Sequence, residues 1–356
     1  MITTTWQGST GDYLALGNWS SGVPGMGSFG DTAFFGASAA NNISIVTSDT
    51  SILLVTPGTW SFSPDASRYN FEIGFGVTLT FAGGGIVING GTAHLFNFGE
   101  LGFNASSAGE ASITNFNFLT FFASSTADSS IIDTADGART VFASFATGSS
   151  AQFITEAGGV VDFSQTSGPA KDHRITAGSI AGAGMYRLGE DQLTIGANDL
   201  STTVSGAIDD GGLKPGMGGA SLVKLGHGAL TLSGAGNTYS GGTTLEAGAL
   251  DLAAIGAAGT GAMAFAGRAT LKIENSALSA HHFTNPIDMF AEHDVLDLTG
   301  LHFHAGATAI YHKASHHLTV HSGHVTDTLT LLAPQSTHFA AASDHHGGTD
   351  VFLIFA

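Results

Sequence analysis

Histidine is the residue type with the clearest potential for chemistry in this sequence, and it is concentrated near the C-terminus. Thirteen of the 16 histidines lie within residues 281–346, where Lys313 is the only lysine or arginine. Residues two apart on a β-strand point to the same face, so His302 and His304 are expected to project together. Neutral imidazole is a favoured ligand of Zn²⁺, Cu²⁺ and Ni²⁺. The candidate metal ligands are His302, His304, His312, His316, His317, His321, His324, His345 and His346.

The histidine pattern also has two other interpretations. Its spacing matches no enzyme or zinc-finger motif, and imidazole can replace Thr, Ser or Asp on an ordinary polar sheet face. Adventitious binding of borderline metals is therefore favoured over a dedicated structural site. Because imidazole has an ordinary pKa of about 6.5, the segment would gain up to about a dozen positive charges near pH 5. A pH-sensitive interface with another copy or subunit is the second hypothesis.

Residues that could form a catalytic centre are scarce. The sequence lacks GxSxG, HExxH, phosphate-loop and dinucleotide motifs, and it has no cysteine. In the pairs Glu190-Asp191 and Asp209-Asp210 the carboxylates are adjacent, so on a strand they point to opposite faces and make no natural acid and base dyad. The segment GGTDVF at 347–352 resembles half of a calcium-binding repeat, which leaves Ca²⁺ as a further candidate ion. We expect a protein that is not an enzyme and requires no cofactor.

Composition and charge restrict the class of protein. Of 356 residues, 43% are hydrophobic and 11% are charged, so the chain can build a large core and is not disordered. The 51 glycines disfavour helices, and no segment sustains a 3.6-residue apolar stripe. A net charge of −18 with 10 Lys and Arg argues against binding to nucleic acid or to an anionic membrane surface. No apolar run is long enough for a membrane-spanning helix.

A repeat of about twenty residues organises the segment 221–273. Within each repeat, apolar and polar residues alternate, which predicts short strands with one buried face. Glycine-rich turns separate the strands, and together these features are typical of a β-solenoid, whose coils bury their apolar faces by stacking. The expected apolar columns are Leu225 over Leu245, Leu230 over Leu250 and Leu271, and Leu232 over Leu252 and Ile273.

A second stretch has the same period. Phe103, Phe122, Phe142 and Phe163 each begin a similar line of sequence, at spacings of 19, 20 and 21 residues. A β-sandwich gives no reason for such a fixed repeat, whereas stacked coils do. We therefore predict an all-β protein with a right-handed parallel β-helix of about 20 residues per coil.

The predicted domains follow from where the repeat begins and ends. Residues 1–40, which include Trp6 and Trp19, are expected to form an N-terminal cap over the first coil; an exposed sugar-binding aromatic patch is the alternative. Residues 41–280 form the solenoid, with phenylalanine-rich coils to about residue 170 and leucine-rich coils after it. Residues 281–356 form a histidine-rich C-terminal β-module.

At the level of motifs, the chain resembles a known family. The segment LVKLGHGALTLSGAGNTYSGGTTLEAGAL (222–250) is similar to the passenger-associated strand repeat of bacterial autotransporters and related large secreted adhesins. The lines at 159–212, the opening segment 6–35, and the segments 294–311 and 343–356 resemble other parts of the same proteins. The resemblance implies a parallel β-helix that is displayed or released outside a Gram-negative cell.

One departure from the family concerns export. Autotransporters carry a large C-terminal outer-membrane barrel, and residues 281–356 are too few for one. The N-terminus has no basic and apolar leader pattern. Both features resemble substrates of type I secretion, whose signal lies at the C-terminus, so the strand-like tail 350–356 is a candidate signal; a chain shortened at its ends is the alternative explanation.

The function expected from the sequence is structural. We predict a secreted adhesive or biofilm-matrix protein at the cell surface or in the extracellular space, which self-assembles into filaments by head-to-tail contact of solenoid subunits. Matrix or cell-surface glycans are candidate partners. The alternatives are a polysaccharide hydrolase or lyase on the same scaffold and a metal-binding adhesin passenger.

Overall fold

The structure is a computed structural model that describes residues 1–8, 10–27, 29–38, 40–47, 52–214 and 218–354. It is all-β, with about 2% helix, and it contains a parallel β-solenoid of about 12 turns with roughly 22 residues per coil. The fold class is therefore as predicted, with coils slightly longer than expected. Helix is confined in these residues to two short 3-10 turns, Leu16–Asn18 and Asn275–Ala277. Among the described residues no helix is long and apolar enough to cross a membrane.

The chain divides into two compact units. Unit 1 comprises Met1–Gly178 with Gly212–Lys214, and unit 2 comprises Ser179–Gly211 with Pro215–Ala356. The predicted domain boundaries at residues 40 and 280 stay a prediction.

The strands of unit 1 are short, and most alternate buried and more exposed residues. They are β1 (Thr3–Thr5), β2 (Asp31–Phe35), β3 (Asn42–Ile45), β4 (Leu53–Val55), β5 (Pro57–Phe62), β6 (Arg68–Ile73), β7 (Val77–Phe81), β8 (Gly85–Ile88), β9 (Thr92–Asn97), β10 (Glu100–Asn104), β11 (Ser112–Asn115), β12 (Phe118–Phe122), β13 (Ile131–Thr134), β14 (Arg139–Ser144), β15 (Gln152–Thr155), β16 (Val160–Thr166) and β17 (Arg174–Ala177).

Successive coils of unit 1 pair their strands in parallel. One row runs β1-β2-β5-β8, a second runs β4-β7-β10-β12-β14-β16, and a third runs β3-β6-β9-β11-β13-β15. Because one coil supplies at most one strand to each row, neighbouring coils supply the missing backbone partners and bury one another's inward side chains.

An aromatic column fills the centre of unit 1, and it corrects one expected position. The stacked rings are Phe81, Phe103, Phe121, Phe142 and Phe163, with successive ring centroids 4.7–5.1 Å apart. Phe121, rather than the predicted Phe122, occupies the column: it pairs with Phe103 on one side and Phe142 on the other. Phe122 is its neighbour on the same strand and therefore points to the opposite face.

A buried amide ladder closes one corner of the same coils. Asn97 and Asn115 are fully buried, and Asn97 Nδ2 donates to Asn115 Oδ1 at 2.8 Å. Asn115 Nδ2 donates in turn to the carbonyl of Arg139 at 2.8 Å. Side-chain amides thus satisfy backbone oxygens that a corner leaves without strand partners.

The aromatic residues of the N-terminal segment are buried. Trp6 and Trp19 are each 4% exposed and meet edge to face at 5.0 Å, and both indole N–H groups donate to backbone carbonyls, of Ala40 and Tyr13 respectively. The alternative of an exposed sugar-binding patch is therefore wrong for these two tryptophans. They pack into the end of the core, as expected for a solenoid cap.

Unit 2 continues the pattern of short strands. They are β18 (Ser179–Gly182), β19 (Met185–Arg187), β20 (Gln192–Ile195), β21 (Thr202–Val204), β22 (Ala207–Asp209), β23 (Ser221–Lys224), β24 (Ala229–Leu232), β25 (Thr243–Leu245), β26 (Gly248–Leu252), β27 (Met263–Phe265), β28 (Ala269–Ile273), β29 (Ile287–Asp288), β30 (Val295–Leu298), β31 (Thr308–His312), β32 (His317–Ser322), β33 (Val325–Thr330), β34 (Phe339–Ser343) and β35 (Thr349–Leu353).

The parallel order of unit 2 changes at its C-terminal end. One row is parallel from β18 through β21, β24, β26 and β28 to β30, and then continues with antiparallel β35 and β34. A second parallel row runs β20-β23-β25-β27-β29, and β19 pairs with β22. Strands β31, β32 and β33 form a separate antiparallel sheet.

The leucine columns are confirmed for two of the three predicted sets. Leu230 pairs with Leu250 and Leu250 with Leu271, and the column that begins at Leu232 is equally in register with Leu252 and Ile273. The third set is wrong by one residue, because Lys224 rather than Leu225 pairs with Leu245.

Lys224 is 2% exposed, and its ammonium is held by backbone carbonyls. Nζ donates to Leu225 O at 2.7 Å, Gly226 O at 3.1 Å and Ala247 O at 3.3 Å. Burial lowers the pKa of this lysine, and the three carbonyls offset part of the loss of hydration. The lysine can occupy the inward position because its ammonium donates hydrogen bonds to the carbonyls of two neighbouring turns.

Candidate functional site

The histidine-rich segment forms the antiparallel sheet β31-β32-β33. Inward-facing Leu318, Val320 and Leu329 are at most 1% exposed, so one face of the sheet is buried. The other face carries three rows of residues in register, which are Thr308–His321–Thr326, Ile310–Thr319–Thr328 and His312–His317–Thr330. The outer face is thus built mainly from threonine and histidine.

The nine candidate histidines are all exposed, and the structure brings only some of them together. His312 and His317 are direct cross-strand neighbours. The rings of His302 and His304 lie 5.2 Å apart. His324 lies in the turn between β32 and β33, and His345 and His346 precede β35.

Several of these imidazoles bond to neutral groups. His312 Nε2 lies 3.2 Å from Thr319 Oγ1, and His321 Nδ1 lies 2.6 Å from Thr326 Oγ1. The remaining bonds of this kind join His316 to Tyr311 Oη, His302 to the Phe303 carbonyl and His346 to the Asp344 carbonyl. Such bonds are typical of a hydrated polar sheet face.

The described histidines do not form a cluster that would support the predicted metal site. Across the described ranges, no group of three or more His, Cys, Asp or Glu side chains is placed to hold a metal ion. The assignment of Zn²⁺, Cu²⁺, Ni²⁺ or Ca²⁺ to this segment stays a prediction.

A row of charged residues on the neighbouring sheet was not anticipated. Strand pairing places Asp251, Lys272, Asp297 and Asp350 side by side across β26, β28, β30 and β35. Lys272 Nζ lies 3.4 Å from Asp297 Oδ2, whereas Asp297 Oδ1 is buried without a hydrogen-bond partner in the described residues. Two carboxylates, Asp297 and Asp350, thus face each other across an antiparallel pair.

This arrangement makes the carboxyls hold protons more tightly. Burial, followed by repulsion from Asp297 and Asp344, raises the pKa of Asp350 to about 6, while Lys272 and His345 act in the opposite direction. Burial also raises the pKa of Asp297, and Lys272 opposes the shift. Like charges directly opposite on paired strands destabilise a sheet.

The stability of unit 2 should therefore decrease as pH rises through this range. A carboxyl whose pKa is raised on folding contributes stability that is fully present below its unfolded pKa of about 4 and is lost as pH rises through about 6. We expect Asp350→Asn to gain about 1 kcal/mol over the natural protein at pH 7.5 and little at pH 4, after allowance for water screening at this half-exposed site.

Urea unfolding at pH 4, 6 and 7.5 measures this difference. The matched control is Glu246→Gln, which removes an exposed carboxylate of unit 2 from outside the row. The raised pKa of Asp350 would be contradicted if Asp350→Asn increased the free energy of unfolding equally at all three pH values. It would also be contradicted if the increase equalled that of the control.

The outer edge of β34 is the other distinctive feature of this region. The bonds Ile354 N–H to His338 O and Asp344 N–H to Gly348 O set the pairing of β34 with β35. Antiparallel alternation then directs the N–H and C=O groups of Ala341 and Ser343 away from β35. Strand β31 lies against the start of β34, with a bridge between Ile310 and His338 and the Tyr311 and Phe339 rings 5.9 Å apart, but no described strand pairs with Ala341 or Ser343 on this side.

Of the acidic pairs considered as catalytic carboxylates, Asp209 and Asp210 accept hydrogen bonds from nearby turn residues. Asp210 accepts hydrogen bonds from the Ser240 N–H at 3.1 Å and from Ser240 Oγ at 2.6 Å. Asp209 Oδ1 accepts from the Gly211 N–H at 2.9 Å. In the other pair, Asp191 is 1% exposed while Glu190 is exposed. The two carboxylates of each pair are held in different surroundings, as adjacent strand and turn residues should be.

Comparison with known proteins identifies one segment. Residues 222–252, which include β24, β25, β26 and most of β23, match the family model of the passenger-associated-transport-repeat. No curated protein and no solved structure matches the chain. The matched repeat contains the confirmed leucine pairs, Leu230 with Leu250 and Leu232 with Leu252.

Proposed function

From the premise that this β-solenoid with its transport repeat fits an autotransporter-passenger-like family, we propose a secreted structural protein that assembles end to end. The observation that carries this proposal is the outer edge of β34 at Ala341 and Ser343, with which no described strand pairs. Copies that pair through it build filaments of an extracellular or biofilm matrix, which gives the protein an adhesive rather than an enzymatic role. The repeat suggests a secreted or surface-displayed passenger.

The composition of β34 supports strand addition. Its sequence, Phe339–Ser343, contains three consecutive alanines and no charge or proline. Natural sheet edges are usually blunted by lysine, proline, a bulge or a covering loop, because an open edge is a template for another strand. Ala341 and Ser343 offer two N–H donors and two C=O acceptors, so pairing needs help from nearby apolar contacts. Ile354, which is 44% exposed and donates its N–H to the His338 carbonyl just before β34, is an apolar side chain near this strand.

Unit 1 contributes a different edge. β4 is the first strand of its row, and the side chains of Ile52 and Leu54 are 79% and 55% exposed. A contact between β34 of one copy and β4 of another joins unlike surfaces. Heterologous contacts of this kind propagate into open filaments when they do not close into a ring.

Proline at position 341 tests the proposal. Ala341→Pro removes an N–H that points away from β35, so the bonds between β34 and β35 remain. We expect filaments in the natural protein by negative-stain electron microscopy, and at least about a tenfold loss of sedimentable protein in the variant.

Ala341→Val is the matched control, since it keeps the N–H and favours a strand. Circular dichroism and thermal unfolding establish that both variants fold. Natural protein that stays monodisperse over a wide concentration range, or a proline variant that forms filaments as the control does, would overturn the proposal.

The same proposal extends to export. Delivery by type I secretion from a Gram-negative cell is part of this proposal, and the candidate signal at 350–356 overlaps β35 (Thr349–Leu353). The end of the predicted signal, Phe355 and Ala356, lies outside the described residues.

A further inference from the structure

The outer face of unit 1 contains a groove that the assembly proposal does not use. The groove has a volume of about 250 Å³ and crosses β3, β6 and β9. Strand pairing lays out its walls as two rows, Asn42–Asn70–His94 and Ser44–Glu72–Phe96. An aromatic ring, a carboxylate and two amides therefore meet on one sheet face.

The aromatic side of the groove is held in place. The ring of Phe96 lies 4.1 Å from that of His94, centroid to centroid. His94 Nε2 is in turn 3.0 Å from Thr114 Oγ1 on the next strand. Burial lowers the pKa of His94, and nearby Arg68 acts in the same direction, so the imidazole favours its neutral form and packs as an aromatic partner. One side of Phe96 is covered, and Glu72 is its neighbour on the other.

The polar side has unused hydrogen-bonding capacity. Asn70 Nδ2 donates to Asn42 Oδ1 at 2.7 Å. This bond leaves the amino group of Asn42 as a donor and the amide oxygen of Asn70 as an acceptor. The Glu72 carboxylate is exposed and adds acceptor oxygens, and it has no hydrogen-bond or ion-pair partner within the described residues.

We infer that this groove binds a neutral polysaccharide, with one sugar ring against Phe96. The apolar C–H face of a sugar packs on an aromatic ring, and its hydroxyls act as both donors and acceptors. Paired amides and a carboxylate supply the complementary groups. The small volume suits one ring of a longer chain rather than a large compact ligand.

The charge of the surface selects against acidic glycans. Glu72 lines the groove, whereas Arg68, on the same strand, does not. The chain carries a net charge of −18, so an anionic polymer is repelled at long range. The groove lies on β3, β6 and β9, whereas the proposed assembly contact joins β34 to β4, so glycan binding and assembly can be tested separately.

Native affinity electrophoresis and calorimetry with the full chain test the inference. The probes are laminarihexaose, cellohexaose and maltohexaose as neutral glycans, and hexagalacturonate as the acidic one. We expect at least one neutral probe to bind, with affinity reduced at least about tenfold in Phe96→Ala and reduced measurably in Glu72→Gln. Glu72 is exposed, so its substitution tests binding without risk to the core.

Phe116→Ala is the matched control, because it removes a phenyl ring that is 42% exposed and does not line the groove. Its affinity should equal that of the natural protein. The inference is overturned if no neutral probe binds at millimolar concentration, if hexagalacturonate alone binds, or if the control loses affinity as Phe96→Ala does.

Discussion

Replacing Leu250 with aspartate should unfold the coils around it, whereas the same substitution at Thr231 should leave them folded. Leu250 is fully buried and lies in register between Leu230 and Leu271. Loss of such a leucine costs about 2–5 kcal/mol. A carboxylate without a partner adds several kcal/mol more or must take up a proton. This total is comparable to the whole stability of a typical domain, about 5–15 kcal/mol.

Urea unfolding followed by circular dichroism, with hydrogen exchange to locate the change, measures this effect. In a stacked repeat the loss should spread to neighbouring coils, because each coil is stabilised mainly by the two that it contacts. We expect amide protection to disappear first in β24, β26 and β28.

Thr231→Asp is the control for the new side chain. Thr231 is half-buried on the outer face, and its Oγ1 lies 3.5 Å from Asp251 Oδ2. Facing carboxylates make this variant about 0.2–1 kcal/mol less stable near neutral pH, but it should remain folded. Equal unfolding midpoints for the two variants would show that Leu250 does not face the core while Thr231 faces outward.

The solenoid could be predicted from sequence because its signal is repeated. Alternation sets which side of a strand is buried, and the period of about twenty sets which residues stack. Where the two signals agree, as for Leu230 and Leu232 with the residues above them, the register is confirmed. The physical reason is that a slip by one residue would turn every leucine of the strand toward water.

The prediction at Leu225 was wrong by one residue, because Lys224 rather than Leu225 pairs with Leu245. Lys224 takes the inward position instead, since three carbonyls surround its ammonium. Lysine is rarely buried without such bonds, and nothing in the local pattern distinguishes it from an exposed lysine. The carbonyl oxygens around this lysine are brought together only by the folded turns, so the sequence alone does not show them.

The charged row in unit 2 had no local signal either. Asp251 and Lys272 are 21 residues apart, which is close to the solenoid period, but Asp297 follows only after 25 residues. Asp350 joins them only because β35 reverses direction and pairs antiparallel with β30. Pairing between strands that are more than fifty residues apart follows no sequence repeat, so it could not be predicted from the period. The same reason applies to the outer edge of β34.

The groove of unit 1 was missed for a related reason. Asn42, Asn70 and His94 are separated by 28 and 24 residues, which is longer than the average coil. The turns between these strands differ in length, so the sequence period alone could not place the three side chains in one row. The aromatic signal was instead sought in the tryptophans, which the structure buries.

Phe121 and Phe122 provide the most direct experimental test of register in unit 1. Phe121 is fully buried between Phe103 at 4.9 Å and Phe142 at 4.7 Å, with the rings almost parallel. Phe122 is half-buried on the opposite face of the same strand. The two side chains are identical and adjacent in sequence, so the difference in their contributions to stability depends on which of them faces the core.

Alanine at position 121 should therefore cost about 3–5 kcal/mol, since it leaves a cavity in the aromatic column and removes two stacking partners. Alanine at position 122 should cost about 1 kcal/mol or less, because little apolar surface is exposed by the change. Thermal and urea unfolding of the natural protein and of both variants give the loss of unfolding free energy caused by each substitution. A larger loss for Phe122→Ala would restore the register expected from the spacing of phenylalanines, and it would move every outward residue of β12 to the core side.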